Sequence, residues 1–196
     1  MTPAAEFKRK AFHHLSLLYM GLYAVLPRLL TLWLLLAALL LAGGVEFIRL
    51  RRPELNARLL QKFGGIHRPA EITAPSGIFW TLAGCWLTMV VFTNRRIVLP
   101  ALGFLVFGDT AAALCGQRWG KRFWKKNPRK TYEGSAAFAV VSALWACLFV
   151  RWPVAVLGAA TGAWIEALPL PHNDNFWVPL LSGFALSVFN LLLGKH

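Results

Sequence analysis

From Leu29 to Ala42 the chain runs without a charged residue, and Thr31 is the only polar side chain in that stretch. A segment of this kind must be taken out of water, either into a large core or into a bilayer. Further runs almost as apolar follow it along the chain. One small soluble domain cannot hide them all, whereas a bilayer accepts each as a helix whose backbone groups pair within the segment.

Composition agrees. Hydrophobic residues make up 57%, charged residues only 15%, and the mean hydropathy is +0.54, above the apolar share of an ordinary soluble domain. The spans read at roughly 12–27, 29–48, 76–94, 97–115, 134–150, 153–169 and 177–194. The expected fold is therefore all-α: a polytopic integral membrane helical bundle of about seven transmembrane helices. Residues 1–196 are read as a single membrane domain with its N-terminus retained.

The formal net charge of +13 would suggest nucleic acid in a soluble protein. Membrane topology explains it better, and no nucleic-acid partner is expected. With the N-terminus inside, the inner segments hold Lys8 to Lys10, the basic residues from Arg49 to Arg68, and those from Arg118 to Lys130. The outer segments hold only Arg28, Arg95, Arg96, Arg151 and Lys195. This asymmetry predicts a cytoplasmic N-terminus. All eight carboxylates then fall towards the inner side, which charge sorting does not require and a shared site there would explain. Cys85, Cys115 and Cys147 each lie in apolar runs and read as small core residues.

Two segments between spans carry their own signal. Residues 53–64 place Leu55, Leu59 and Phe63 on one helical face beside Arg58 and Lys62, with Pro53 suited to a first turn, so an interfacial amphipathic helix is expected. Residues 116–133 form a basic cytoplasmic loop interleaved with Trp119, Phe123, Trp124 and Tyr132. That loop reads either as a polyphosphate cradle or as positive-inside sorting with an aromatic belt.

Asp109 is the sharpest chemical feature. A carboxylate inside an apolar span costs roughly 3 kcal/mol on insertion scales, so it should face a cavity or a partner. Lys130-Thr131-Tyr132-Glu133-Gly134-Ser135 ends where a span begins, so helix N–H groups could meet an anion there. Glu133 could equally be a first-turn acid complementing the helix dipole. Gly158, Gly162 and Glu166 recur four apart, which continues a close-packing stripe into a buried carboxylate. His172 to Asn175 supply oxygen-rich side chains suited to Mg²⁺, or a solvated turn. Glu6, Arg9, Lys10 and His13 share one helical face and read as an interfacial anchor or a ligand contact.

Carboxylates for a divalent cation and many cations for a polyphosphate, set in a membrane, point to phosphoryl or nucleotidyl transfer to a lipid. The same residues resemble the CTP-dependent lipid-alcohol kinases, the family of dolichol, phytol and diacylglycerol kinases. The likeness is carried by EFKRKAFH (Glu6 to His13), GDTAAALCGQRWGK (Gly108 to Lys121), KTYEGS (Lys130 to Ser135), and Glu166 with DNFWVPL (Asp174 to Leu180). EFIRLRRPELN and SGIFWTLAG, within Glu46 to Gly84, look most like the diacylglycerol and dolichol branches.

The resemblance implies Mg²⁺-dependent transfer of the γ-phosphate of CTP to a lipid alcohol. It makes Asp109, Lys130 and Glu133 the catalytic candidates, and Asp109, Glu133 and Asp174 the metal candidates. Lys121, Lys130, Thr131, Gly134, Ser135 and Asn175 are the nucleotide-binding candidates, with Arg9, Lys10, His13 and Glu166 secondary. CTP, the lipid acceptor and membrane lipids are the expected partners, and a bacterial inner membrane with a cytoplasmic active site is the expected location. A phytol or other isoprenoid-alcohol kinase, a phosphatidate cytidylyltransferase and a non-enzymatic transporter are the competing readings.

Overall fold

A computed structural model describes residues 16–62 and 69–193. Among the described residues the fold is all-α apart from one small hairpin, and its contacts divide the chain into two compact units, Met1–Trp86 and Leu87–His196. Arg9, Lys10, His13 and Phe63 lie outside the described residues.

In the first unit, α1 (Ser16–Val25) leads through Pro27 into α2 (Arg28–Arg51). Pro27 has no N–H to give, which suits a helix boundary. Along α2 the apolar side chains face outward: Trp33 and Leu40 are each 67% exposed and Leu41 is 73% exposed. An apolar helix with its large side chains unburied is stable only where the surroundings are apolar too. Arg52 is extended (φ −121°, ψ 92°), as the residue before a proline prefers. The chain then restarts at Pro53 as α3 (Pro53–Lys62), within the segment expected to be amphipathic. A 3₁₀ turn (Pro69–Ile72) follows, and α4 (Gly77–Val91) contains the boundary between the units.

Arg49 fastens the end of α2. Its Nε and Nη2 donate to Glu46 Oε2 at 2.9 and 2.6 Å. Its Nη1 donates to Asn56 Oδ1 and the Glu71 carbonyl at 2.9 and 3.1 Å, and Nη2 also reaches the Ala74 carbonyl at 2.7 Å. All five guanidinium N–H groups are thereby used. Asn56 Nδ2 in turn donates to the Ile72 carbonyl at 2.9 Å, so α2, α3 and the 3₁₀ segment are joined through one buried side chain.

The second unit begins with a helix that changes pitch. α5 (Arg95–Gly103) passes through a π-helical segment, Phe104–Gly108, into α6 (Asp109–Trp119), with the Asp109 N–H reaching the Phe104 carbonyl five residues back. Gly103 permits a close approach here. A Cβ at that position would fall within 2.2 Å of the Trp145 ring, whose Nε1 donates to the Leu99 carbonyl at 3.1 Å.

A hairpin, β1 (Phe123–Trp124) and β2 (Asn127–Thr131), leads into α7 (Tyr132–Ala146), α8 (Trp152–Ala167) and α9 (Asp174–Leu193). α8 packs on both α7 and α9, and α6 packs on α7. Gly158 lies against Leu186, while Gly162 lies against Phe104, Phe138 and Ser182, so the glycine stripe is a packing face. Among the described residues, three helices are long and apolar enough to cross a membrane: Arg28–Arg51, Arg95–Trp119 and Asp174–Leu193.

Candidate active site

Three acidic side chains named from sequence meet at one ammonium group. The basic stretch after α6 folds into the hairpin, with Trp124 paired to Asn127 across Lys125 and Lys126, and Phe123 paired to Thr131. The Trp124 ring stacks on Tyr132 at 4.2 Å, and its Nε1 donates to Ser135 Oγ at 3.0 Å. Asn127 is buried, and its Nδ2 donates to the Ala167 carbonyl at 3.3 Å, one residue beyond Glu166. The hairpin is thus tied at one end to α7 and at the other to the last turn of α8.

Lys130 projects from the strand between those ties. Its Nζ donates to Glu166 Oε1 and to Asp174 Oδ2, the latter at 2.8 Å, and lies 3.9 Å from Asp109 Oδ1. Glu166 is 2% exposed and Asp109 6%. Burial opposes the lysine charge, but Asp174, Glu166 and Asp109 outweigh it and hold its pKa above the ordinary range, so the ammonium persists at neutral pH. Among the described residues, Glu166 Oε2 is buried without a hydrogen-bond partner.

Each carboxylate is placed by local structure. Asp109 follows the π segment, a feature often found at functional sites. Glu166 closes the packed stripe of α8. Asp174 starts α9 after a turn in which His172 takes a left-handed backbone (φ 66°) and Asn173 Oδ1 accepts from the Asn175 N–H at 3.0 Å.

The remaining sequence candidates within the described residues lie outside this group of four side chains. Thr131 Oγ1 accepts from the Gly134 N–H at 3.1 Å and so caps α7, while Ser135 holds Trp124. Glu133 Oε2 accepts from the Arg122 N–H at 3.3 Å. Its own backbone N–H first, then those of Arg122 and Lys121, lower its pKa. Among the described residues no hydrogen bond or ion pair joins Glu133 to Lys130. Asn175 is buried at the start of α9 and Lys121 is exposed.

Asn127 is the residue that sequence reading missed, while Trp124 was read only as one of the aromatics in the basic loop. The Lys-Lys-Asn-Pro run after an aromatic pair was the available turn signal.

Gly134 sets how closely α7 approaches α6, because a Cβ there would lie 2.7 Å from the Ala112 carbonyl oxygen and 3.0 Å from Thr131 Oγ1. Gly134→Ala is expected to cost about 1–3 kcal/mol, read as a lower melting temperature, and to reduce activity by moving β2 and Lys130.

Among the described residues, no three acidic, His or Cys side chains form a metal-holding group by themselves; the carboxylates share an ammonium instead. The site nonetheless fits Mg²⁺, which is commonly held by one or two carboxylates plus substrate phosphates. The Glu166 oxygen that has no hydrogen-bond partner among the described residues leaves an acceptor for such a cation.

These features define a helical membrane protein with a buried, lysine-bridged carboxylate cluster beside an electropositive hairpin. The chain is 26% identical to CTP-dependent diacylglycerol kinase 1 of Saccharomyces cerevisiae, over 93% of this chain and 72% of that protein. It is 31% identical to dolichol kinase EVAN of Arabidopsis thaliana, over 88% of this chain but 33% of that larger protein. It is also 31% identical to a phytol kinase of Synechocystis, over 53% of this chain and 49% of that protein. The chain is a relative of the lipid-alcohol kinases. No family model and no solved structure matches it.

Proposed function

We propose that this chain transfers the γ-phosphate of CTP to the hydroxyl of a lipid alcohol, of the diacylglycerol or polyprenol type, in a Mg²⁺-dependent reaction at the cytoplasmic face. The observation that carries the reading is the meeting of Asp109, Glu166 and Asp174 at Lys130. The relatives' names support the donor and the acceptor class.

Phosphoryl transfer needs positioning and charge neutralisation more than covalent help from the protein. Asp109 and Asp174 would hold Mg²⁺, which supplies neutralisation of the phosphate oxygens. Lys130 would then bind a phosphate oxygen, with its stem fixed by the hairpin's ties to α7 and α8. Lys121, just before the hairpin, and the exposed cations of the hairpin itself would draw in the nucleotide. About seven spans, an inside N-terminus and a bacterial inner membrane complete the reading, with α3 lying on the inner leaflet.

Purified protein given CTP labelled in the γ-phosphate, Mg²⁺ and a panel of diacylglycerol, polyprenol and phytol is expected to label one lipid and release CDP. Pyrophosphate release would instead mark a cytidylyltransferase, and no labelled lipid under any nucleotide would remove the kinase reading.

A further inference from the structure

We propose that the corner where α2 meets α3 is a binding site for an anionic phospholipid. Arg51, Arg52 and Arg58 hold the headgroup phosphate, and the acyl chains lie along the exposed apolar side of α2. These residues all belong to the first unit, and none is a candidate for the transfer reaction.

The α2 helix sets the depth of this corner. Its 24 residues rise about 36 Å, enough to cross the hydrocarbon of a bilayer and bring the last turn to the headgroups. There the sequence changes from apolar to Arg49-Leu50-Arg51-Arg52, and Pro53 starts α3. A cavity of about 440 Å³ opens at the turn, lined by Arg51, Arg52, Pro53, Glu54, Leu55 and Arg58. Three guanidinium groups thus line it with one carboxylate. The guanidinium fork binds two phosphate oxygens through paired N–H groups, and Glu54 offers an acceptor for a headgroup hydroxyl.

The corner is held without a ligand. Arg49 ties the end of α2 to Asn56 of α3 and to the Glu71 and Ala74 carbonyls, which fixes the turn beside the cavity. Arg51 lies over the Phe47 ring at 4.0 Å, a contact that steadies its guanidinium. Phe47, Ile48 and Leu50 are exposed on the same end of α2, so apolar surface for acyl chains begins where the arginines stop. A soluble anion would use the arginines and leave that surface bare. A phospholipid satisfies both.

The test is lipid binding to the full-length chain in detergent, followed by native mass spectrometry with phosphatidylglycerol and phosphatidylcholine offered in equal amounts. Phosphatidylglycerol is expected to bind in preference. The triple variant Arg51→Gln, Arg52→Gln, Arg58→Gln is expected to weaken that binding at least about tenfold and to leave phosphatidylcholine unchanged. A control triple, Lys125→Gln, Lys126→Gln, Arg129→Gln, removes the same charge from exposed positions of the hairpin and is expected to weaken it less than about twofold.

Equal loss in both triples marks diffuse attraction and overturns the proposal, as does equal binding of the two lipids. Displacement of the lipid by an equal concentration of glycerol phosphate marks a soluble-anion site and overturns it too. Arg52→Gln with Arg58→Gln keeps the Arg51–Phe47 contact and guards against loss of the fold. Compared at a melting temperature equal to the wild type, this pair is expected to weaken binding at least about threefold, and wild-type binding by it overturns the proposal.

Discussion

Asp109→Asn is expected to lower lipid phosphorylation at least about a thousandfold, with the protein inserted and recovered as well as the wild type or better. Asp109 is the first residue after the π segment, and its carboxylate is one of three around Lys130. The amide keeps its shape but cannot neutralise a cation. It also relieves the cost of roughly 3 kcal/mol that a carboxylate imposes on an apolar span, which is why yield should not fall. Labelled CTP with the accepting lipid, compared at equal amounts of folded protein, decides the matter. Activity within tenfold of the wild type would make Asp109 a structural acid.

Arg49→Ala is expected to produce the largest loss of stability in the first unit. The Arg49 side chain is 4% exposed and that of Glu46 is 11% exposed, so truncation strands a largely buried carboxylate. The Glu71 and Ala74 carbonyls and the Asn56 side-chain oxygen also lose their bonds to this guanidinium. Removing one member of a buried pair costs about 3–5 kcal/mol, which corresponds to a fall in melting temperature of about 10 °C for a chain of this size. Arg49→Lys should recover only part of it, since one ammonium cannot reproduce five forked donors. A thermal melt in detergent within 2 °C of the wild type would show that the clamp contributes little.

The elements were largely legible from sequence because their signals are local. Long apolar runs marked α2, the Arg95–Trp119 helix and α9. Pro53 marked the start of α3, and the four-residue spacing of Gly158, Gly162 and Glu166 marked the buried face of α8. The basic stretch was legible as charge but not as form. Its hairpin depends on the Trp124–Asn127 pairing and on ties to Ser135 and Ala167, and the Ala167 partner is 40 residues from Asn127.

Glu133 shows where local reading stopped. As a residue type beside a lysine and a helix start, it served equally well as a metal ligand or a dipole-complementing acid. In the structure its carboxylate accepts from the hairpin backbone, while Glu166 takes a place beside Asp109 and Asp174 around the lysine. Periodicity could not foresee this, because it assumes a regular α-helix. The π turn before Asp109 departs from that assumption, and a one-residue shift amounts to about 100° of helical rotation.

The sequence by itself determined that the chain is an apolar helical protein with acids and a dense basic stretch able to serve phosphate chemistry, since burial preference and helix-end chemistry act over a few residues. Only the tertiary structure decided which acids share a cation. Lys130 lies 36 residues from Glu166 and 44 from Asp174, and the packing of α7, α8 and α9 closes those distances. The side chains meet because helix rotation and hairpin ties fix their directions, and neither is written in any short stretch of residues.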